Sequence, residues 1–254
     1  MRRVSVLAIA AAVALLSPGS PGLAGAPRSH AFVGKSCTET WVLYFLDEPT
    51  LRRHVPARFA IEFVAADRGE LLISVTRCEK STLNGTSIGP TLLSEVGIYI
   101  AEPKERKNAV RHQVHWDYYQ LWHLTNVPAL RTAFSALGVD GGTISKATWT
   151  ATSAASTDAD VPWDRVPYSF RAGVPVPSSA FGARPSAFWH QGRKGLVVTS
   201  YEAVETSLVS GGGQLRTSAT GPIAKMVGAE TSVVHNATQA HYSTLKATFT
   251  LLGK

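Results

Sequence analysis

The sequence is poor in cysteine, with only Cys37 and Cys78 among 254 residues. Two cysteines cannot supply a metal site built from a cysteine cluster. A reactive thiol is the alternative, but Cys78 has no histidine in its local sequence that could activate it. In an oxidising compartment the two would pair, and closing a loop of about 40 residues stabilises a fold by roughly 3–4 kcal/mol. We therefore predict a Cys37–Cys78 disulfide.

The sequence also lacks an apolar run long enough for an ordinary membrane span. The longest such run near the start, Val4–Leu16, is preceded by Arg2-Arg3 and followed by Ala24–Ala26. A basic start, a short apolar stretch and small residues at the end are typical of a secretory signal peptide, although a retained anchor is the alternative. We expect residues 1–26 to be removed, residues 27–254 to form a single domain, and the protein to be exported without stable membrane insertion.

Charged residues are sparse, at 17% of the chain, and the net charge of +7 is scattered along it. The densest basic group, Lys104–Lys107, contains an acidic residue, Glu105. Nucleic-acid binding requires a basic stripe or a recognisable module, and neither is present. We therefore expect no nucleic-acid partner, and we interpret the positive charge as solvated surface.

Most of the remaining sequence has the alternation of β-strands. In the last run, Leu245, Ala247, Phe249 and Leu251 are apolar. The residues between them are Lys246, Thr248 and Thr250, which are polar. Such alternation predicts a strand with one buried face and one wet face. The predicted strands are Leu71–Thr76, Leu92–Ala101, Val110–Leu121, Thr143–Thr152, Gly195–Tyr201, Glu202–Val209 and His241–Leu252. A mainly β, antiparallel barrel or sandwich with a few short peripheral helices accounts for this pattern.

Two short helices and one turn interrupt the strands. Asp47 is placed to cap a first helix that has Pro49 in its first turn. A second helix begins near Pro128 and ends at Gly138, because glycine readily adopts the left-handed conformation that ends helices. The triple glycine Gly211–Gly213 predicts the tip of a hairpin.

The sequence Gly85–Gly89 matches the G-x-S-x-G motif of serine hydrolases. That motif needs a strand before the serine and a helix after it. Here a turn dipeptide, Asn84-Gly85, precedes the serine and Pro90 follows the motif, so we interpret the segment as a loop. Asn84 and Asn236 also begin glycosylation sequons, which matter only in a eukaryotic secretory pathway.

A dense run of aromatic and histidine side chains lies at positions 112–123. His112 and His115 are three residues apart, so on a strand they point to opposite faces and do not converge on a metal ion. Strict alternation would place Trp116, Tyr118, Gln120 and Trp122 on one face, and His115, Asp117, Tyr119, Leu121 and His123 on the other. Core packing is the simpler interpretation. The alternative is a face that lines an apolar cavity, with Trp116, Trp122 and His123 binding a ligand.

One segment of the sequence is more informative about the fold than the others. It comprises Trp41–Leu46, the capped helix region Asp47–Pro56, and the strand Ser94–Ile100, which carries a carboxylate at Glu95. A carboxylate in an apolar strand must be paired or neutralised if it is buried. This order resembles the opening of the acetoacetate decarboxylase-like β-barrel family. The resemblance implies that barrel fold and a place for Glu95 in its pocket.

The reactive lysine of that family is missing from the expected region. In the decarboxylases a lysine with a lowered pKa forms a Schiff base with a β-keto acid. The comparable stretch here, Leu121–Leu130, contains no lysine. Pro103-Lys104 is the only local echo of the family's motif, but it lies in a charged loop where we expect the lysine to be solvated and protonated. Lys146, Lys225 and Lys246 are replacements by position alone. We therefore predict a divergent member of the fold that does not use Schiff-base chemistry.

These observations lead to a functional hypothesis. We expect an exported barrel enzyme without metal or cofactor that binds an apolar, polyketide-like molecule bearing carbonyl and hydroxyl groups. It would promote cyclisation or rearrangement in a preorganised cavity, with Glu95 and Tyr118 or Tyr119 as acid–base groups. Two alternatives stay open: a lipocalin-like binding protein without activity, and a Schiff-base decarboxylase. The sequence does not determine the ligand or the oligomeric state.

Overall fold

A computed structural model describes residues 29–110, 116–149, 154–160, 168–172, 176–177, 185–216, 221–228 and 231–252. The expected signal peptide and the pair His112 and His115 lie outside the described residues, so those predictions stay predictions. Within the described ranges, no helix is both long and apolar enough to cross a membrane.

The chain is dominated by strands. Thirteen strands are present among the described residues: β1 (Ser29–Asp47), β2 (Phe63–Ala65), β3 (Arg68–Leu83), β4 (Thr86–Ser87), β5 (Thr91–Ile100), β6 (Trp116–Thr125), β7 (Gly141–Trp149), β8 (Ala154–Asp160), β9 (Tyr168–Ala172), β10 (Val176–Pro177), β11 (Ser186–Gly192), β12 (Gly195–Arg216) and β13 (Thr231–Leu251). The helices of the same ranges are α1 (Glu48–Arg52), α2 (Arg106–Ala109), α3 (Pro128–Leu137) and α4 (Pro222–Val227).

Seven of these strands close into a barrel. The hydrogen-bonded order around the ring is β1, β3, β5, β6, β11, β12 and β13, and β13 pairs with β1 again. Six of the neighbouring pairs are antiparallel. The seventh, between Trp116–Tyr119 of β6 and Ser186–Trp189 of β11, is parallel. The predicted mainly β barrel is confirmed, with one parallel pair in an otherwise antiparallel ring.

Side-chain alternation separates an inner from an outer core. In β3, Leu72 belongs to the inner cluster, whereas Leu71 and Ile73 belong to the outer one. The outer cluster is covered by Leu51 of α1 and Ile223 of α4, so β3 is buried on both faces. In β13, by contrast, Lys246 and Thr248 are exposed while Leu245, Ala247 and Phe249 are buried, as the alternation of its sequence predicts.

Both predicted helices form where the sequence places them. The Asp47 carboxylate accepts a hydrogen bond of 2.9 Å from the Thr50 backbone N–H and thereby caps α1. Helix α3 ends at Gly138, which has a left-handed φ of 89°. Phe134 of α3 contacts the inner residue Phe249, with 4.8 Å between ring centroids, so α3 covers part of the barrel interior. The short helix α4 was not predicted.

Several predicted strand boundaries were wrong. Val110 follows α2 and is not part of β6, which extends from Trp116 to Thr125. The runs Gly195–Tyr201 and Glu202–Val209 form one continuous strand, β12, and Gly211–Gly213 lies within it. These glycines coincide with a shift in the β12–β13 register. Glycine within a strand often marks such an irregularity in the pairing. They are therefore not a hairpin tip.

The segment with the G-x-S-x-G pattern is a turn. Asn84 and Gly85 have φ values of 50° and 80° and connect β3 with β4. Two successive positive φ values are typical of tight hairpins, and no helix follows the serine as a hydrolase elbow requires. The Asn84 side-chain oxygen accepts a hydrogen bond from the Ala31 N–H, and its nitrogen lies 3.0 Å from His30 Nδ1.

The predicted disulfide is present. Cys37 and Cys78 lie directly opposite each other in β1 and β3, and their sulfur atoms are bonded. The bridge therefore crosslinks two neighbouring strands of the barrel. Gly34 packs so closely against the disulfide that a Cβ at this position would lie only 2.8 Å from Cys37 Sγ.

Substitution of Gly138 tests how strictly the end of α3 is specified. We expect Gly138→Ala to lower the free energy of unfolding by about 2 kcal/mol or more, because φ is positive and the new Cβ would lie 2.7 Å from the Lys194 backbone nitrogen. Gly85→Ala is the matched control, since its φ is also positive but nothing lies within 4 Å of the added carbon. It should cost only about 1 kcal/mol. Equal losses in urea denaturation would contradict the steric part of the argument.

Candidate functional site

The barrel contains a cavity of about 200 Å³ between the inner faces of its strands, and this cavity is partly open to solvent. Its apolar wall is formed by aliphatic and aromatic side chains, and its polar wall by glutamates, hydroxyls and indoles. The lining residues are Glu39, Trp41, Leu43, Glu70, Leu72, Thr76, Leu93, Glu95, Trp116, Tyr118, Ser186, Phe188, Tyr201, Ala203, Tyr242 and Leu245. An apolar pocket with a few convergent polar groups is the usual form of a small-molecule site.

The polar wall consists mainly of three glutamate–tyrosine pairs. In each pair a tyrosine hydroxyl donates a hydrogen bond to a carboxylate on a different strand, and both side chains line the same cavity. The pairs are Glu39 with Tyr242 at 2.7 Å, Glu70 with Tyr118 at 2.9 Å, and Glu95 with Tyr201. A hydroxyl donor stabilises a carboxylate and also leaves the oxygen of the tyrosine able to accept a bond from a ligand.

Glu95 has the most extensive set of contacts. Besides the bond from Tyr201, its Oε1 accepts a hydrogen bond of 3.2 Å from Gln120 Nε2. His123 Nδ1 lies 2.9 Å from the same oxygen. Both Glu95 and His123 are almost fully buried, at 6% and 1% exposure. Glu95 is therefore a buried carboxylate with hydrogen-bond partners, as the physical requirement on a buried charge demands.

A β-bulge brings His123 and Gln120 to the same side of β6. Val96 of β5 pairs with Trp122, but the next residue, Gly97, pairs with Gln120, which leaves Leu121 as an extra residue. An extra residue reverses the alternation beyond it. Trp122 consequently packs in the outer core, opposite to the face that strict alternation gave it.

Burial changes the acidity of the cavity groups. Desolvation raises the pKa of Glu39 to about 7; the bond from Tyr242 opposes this increase and the nearby charge of Glu95 adds to it. Desolvation also raises the pKa of Glu70, and the hydrogen bond from Tyr118 opposes this increase. The pKa of Tyr201 is raised well above its ordinary value, by burial first and then by the charge of Glu95. Burial raises the pKa of Tyr118 in the same way, so Tyr118 and Tyr201 are neutral hydrogen-bond donors.

The structure brings together only part of the predicted site. Glu95, Tyr118 and Trp116 line the cavity, and His123 lies behind Glu95 in contact with it. Tyr119 and Trp122 belong to the outer core and do not line the cavity. Tyr119 instead contacts the ring of Phe59, at 5.2 Å between centroids.

The sequence analysis missed Glu39, Glu70, Tyr201 and Tyr242. Glu70 carried a signal similar to that of Glu95, because it directly precedes the predicted strand Leu71–Thr76. Glu39 lies between Thr38 and Thr40 and carried no such signal. Tyr201 and Tyr242 carried no comparable local signal. Whether these two tyrosines line the cavity depends on which faces of β12 and β13 turn inward. The closed ring of strands determines those faces.

No described lysine is placed for Schiff-base chemistry. Lys104, Lys225 and Lys246 are exposed at the surface, as are all other lysines whose side chains the structure describes. The Lys146 side chain lies outside the described part of the chain. A lysine amine needs desolvation or a neighbouring cation to lose its proton near neutral pH. Over the same described residues, no cluster of three metal-binding side chains occurs.

Comparison with known proteins gives a fold but no close relative in sequence. No protein-family model matches the chain, and no curated protein matches it. Among solved structures, the enduracididine biosynthesis enzyme MppR aligns with a TM-score of 0.59 at 11% identity, over 93% of this chain and 98% of that one. MppR has also been solved with pyruvate, and with the condensation product of pyruvate and imidazole 4-carboxaldehyde.

Acetoacetate decarboxylases have the same architecture. The enzyme from Legionella pneumophila aligns with a TM-score of 0.53 at 12% identity, over 88% of this chain and 86% of that one. An acetoacetate decarboxylase-like enzyme from Sphingomonas wittichii RW1 aligns with a TM-score of 0.50 at 11% identity, over 96% and 100% of the two chains. At this level of identity the likeness concerns the fold, and the chain has the acetoacetate decarboxylase-like β-barrel fold.

Proposed function

We propose that the protein is an enzyme that moves protons on a small, largely apolar molecule bearing carbonyl and hydroxyl groups, without an imine to a lysine. The reaction would be the cyclisation or rearrangement of a short polyketide-like substrate. The observation that carries the proposal is the convergence of three glutamate–tyrosine pairs on one cavity. Enzymes of similar fold, such as MppR and acetoacetate decarboxylase, support a catalytic rather than a purely carrying role.

The pairs have complementary capacities for acid–base catalysis. A carboxylate can accept a proton from a carbon next to a carbonyl, while a tyrosine hydroxyl donates a hydrogen bond to the carbonyl oxygen and stabilises the enolate that forms. Glu39 is well suited to exchange protons near neutral pH, because its pKa of about 7 keeps both of its forms populated. Glu95 is held in place by Gln120 and His123, which gives it a fixed direction.

The size of the cavity limits the substrate. A volume of about 200 Å³ is smaller than the roughly 300–1,000 Å³ typical of drug-sized ligands. We therefore propose a short substrate that the walls can hold close to its reactive conformation. The complex of MppR with pyruvate supports a carbonyl group as a feature of the substrate, and the charge of the substrate is a separate question.

We also propose that the protein acts outside the cytoplasm. The Cys37–Cys78 disulfide supports this location, because such bonds persist in oxidising compartments. Intact mass measurement of protein recovered from the culture medium tests the proposal. A mass that begins at Pro27 is expected, and full-length protein confined to the cytoplasm would contradict it.

Deuterium exchange tests the proton-transfer function. In D₂O, we expect the protein to accelerate exchange of the α-hydrogens of hydroxyacetone or cyclohexanone above the buffer rate, as followed by NMR. Glu95→Gln and Tyr201→Phe should each reduce the enzyme-dependent rate by about 10²-fold or more. Glu79→Gln is the matched control, because Glu79 is a surface glutamate on the same strand as Glu70. An unaltered rate in Glu95→Gln would contradict the assigned role.

Borohydride treatment separates this mechanism from the decarboxylase alternative. If the protein is incubated with acetoacetate or pyruvate and then reduced, we expect no added mass on any lysine, because the described lysines are exposed. An adduct on Lys146 would instead support Schiff-base chemistry. A protein that binds the ketones without exchange or adduct would be a binding protein.

A further inference from the structure

We propose that the cavity selects ligands that carry a positively charged nitrogen, and so binds small organic ammonium compounds in preference to neutral or anionic ones of the same shape. This inference deepens the proposed function and rests on it only for the choice of this cavity as the ligand site. It concerns the charge of the ligand, which the proton-transfer argument leaves open.

Among the residues that the structure describes, the charged side chains that line the cavity are all acidic. Glu39, Glu70 and Glu95 all line it, while the lining contains no lysine or arginine among the residues that the structure describes. A carboxylate removed from water requires an opposite charge or a proton. A cationic ligand group would supply the missing charge, whereas a ligand carboxylate would meet three groups of its own sign.

The described groups around the cavity supply little positive charge. His123, at 2.9 Å from Glu95, can offset at most that one carboxylate. The described hydrogen-bond partners of Glu39 are the hydroxyls of Tyr242, Thr76 and Ser74, and the partner of Glu70 is the hydroxyl of Tyr118. All of these donors are neutral and contribute no charge. At least two of the three carboxylates are therefore without a cation in the described surroundings.

The walls of the cavity favour an organic cation over a metal ion. Trp41, Trp116 and Phe188 line the same space as the glutamates. Aromatic rings accept the apolar body of an ammonium compound and attract its charge. A metal ion requires several convergent ligands, and no suitable cluster occurs among the described side chains. An apolar chain or ring ending in an ammonium group matches both kinds of wall.

Proton release should accompany the binding of a cation. Before binding, Glu39 is partly protonated at neutral pH, because burial raises its pKa to about 7. A bound cation favours the ionised carboxylate, so the proton leaves and the affinity rises with pH until Glu39 is fully ionised. The titratable groups that face the cavity or Glu95 are Glu39 of β1, Glu70 of β3, Glu95 of β5, Tyr118 and His123 of β6, Tyr201 of β12 and Tyr242 of β13.

Calorimetric titration with three matched probes tests the inference. Benzylamine is a cation at neutral pH, benzyl alcohol is neutral and benzoate is an anion, and all three have similar shapes. We expect benzylamine to bind at least tenfold more tightly than benzyl alcohol, and benzoate to bind more weakly than both. Benzoate or benzyl alcohol binding as tightly as benzylamine would overturn the proposal, as would no detectable binding of benzylamine.

Variants and buffers of different ionisation enthalpy make the test specific. Titrations at pH 7 should show release of protons on binding of benzylamine, and the number released should fall in Glu39→Gln. The preference for benzylamine over benzyl alcohol should also fall in Glu39→Gln and stay unchanged in Glu79→Gln. An equal preference in Glu39→Gln and the native protein would mean that the charge of this glutamate does not select the ligand.

The outcome is independent of the exchange assay with neutral ketones. If benzylamine is preferred but no exchange occurs, the cavity is a binding site for ammonium compounds and the proposed catalysis is wrong. If exchange occurs without any preference for benzylamine, the catalysis stands and the inference about ligand charge is wrong.

Discussion

Replacing Cys37 and Cys78 together by alanine should lower the free energy of unfolding by about 3–4 kcal/mol. The bridge spans a sequence separation of 41 residues, and it restricts the unfolded chain by closing a loop of that length. A change of this size is a large fraction of the stability of an ordinary domain. Urea denaturation at neutral pH, followed by tryptophan fluorescence, measures it.

Reduction provides the control for this prediction. In the presence of a strong thiol reductant, the native sequence should lose most of its advantage over the double variant, since both chains then lack the crosslink. The barrel should persist in the double variant, because β1 remains paired with β3 from Phe32 to Asp47 and with β13 on its other side. A difference in stability that survives complete reduction would show that packing of the sulfur atoms, rather than the crosslink, is responsible.

The part of the fold that could be predicted is the part governed by local signals. The cap at Asp47 and the glycine end of α3 are determined within a few residues, and both are observed. The alternation of β13 and the resemblance of Trp41–Ile100 to the barrel family were also sufficient to predict the architecture. Each of these signals acts over a stretch short enough to be recognised in a single sequence.

The parts that could not be predicted depend on the closed ring. Nothing local marks Leu121 as the extra residue of a bulge, yet this bulge moves Trp122 outward and brings His123 to Glu95. The parallel contact between β6 and β11 is equally non-local, since it joins strands about 70 residues apart in sequence. Faces assigned by strict alternation fail wherever such irregularities occur.

The candidate site differs from the prediction in the number of acidic side chains rather than in the position of Glu95. Glu95 lies in the cavity as the family resemblance implied, but it is one of three glutamates there. A site made for a lysine imine needs surroundings that lower the pKa of an amine, and desolvation or a neighbouring cation does so. Three nearby carboxylates have the opposite effect, because they favour the charged ammonium form. The acidic lining therefore supports the proposal of a reaction without an imine to lysine.

Glu39→Gln should make the protein more stable above neutral pH, and the gain should vanish in acid. Burial raises the pKa of Glu39 from 4.5 to about 7 in the fold, so the folded state favours the protonated form. The stabilisation from this preference is fully present below about pH 4.5 and is lost as pH rises to about 7. Because Glu39 is partly exposed to the cavity, the resulting destabilisation is at most about 3 kcal/mol.

The difference in stability between Glu39→Gln and the native protein reports on Glu39 alone, because the other buried acids are the same in both. Glutamine still accepts the hydrogen bond from Tyr242 but does not titrate, so the stability of Glu39→Gln relative to the native chain should rise between pH 4.5 and 7 and level off above that range. Urea denaturation at half-unit pH steps measures this curve, and Glu79→Gln should give a flat difference over the same range. A flat difference for Glu39→Gln would show that Glu39 keeps an ordinary pKa in the cavity, and it would remove the basis for proton release on ammonium binding.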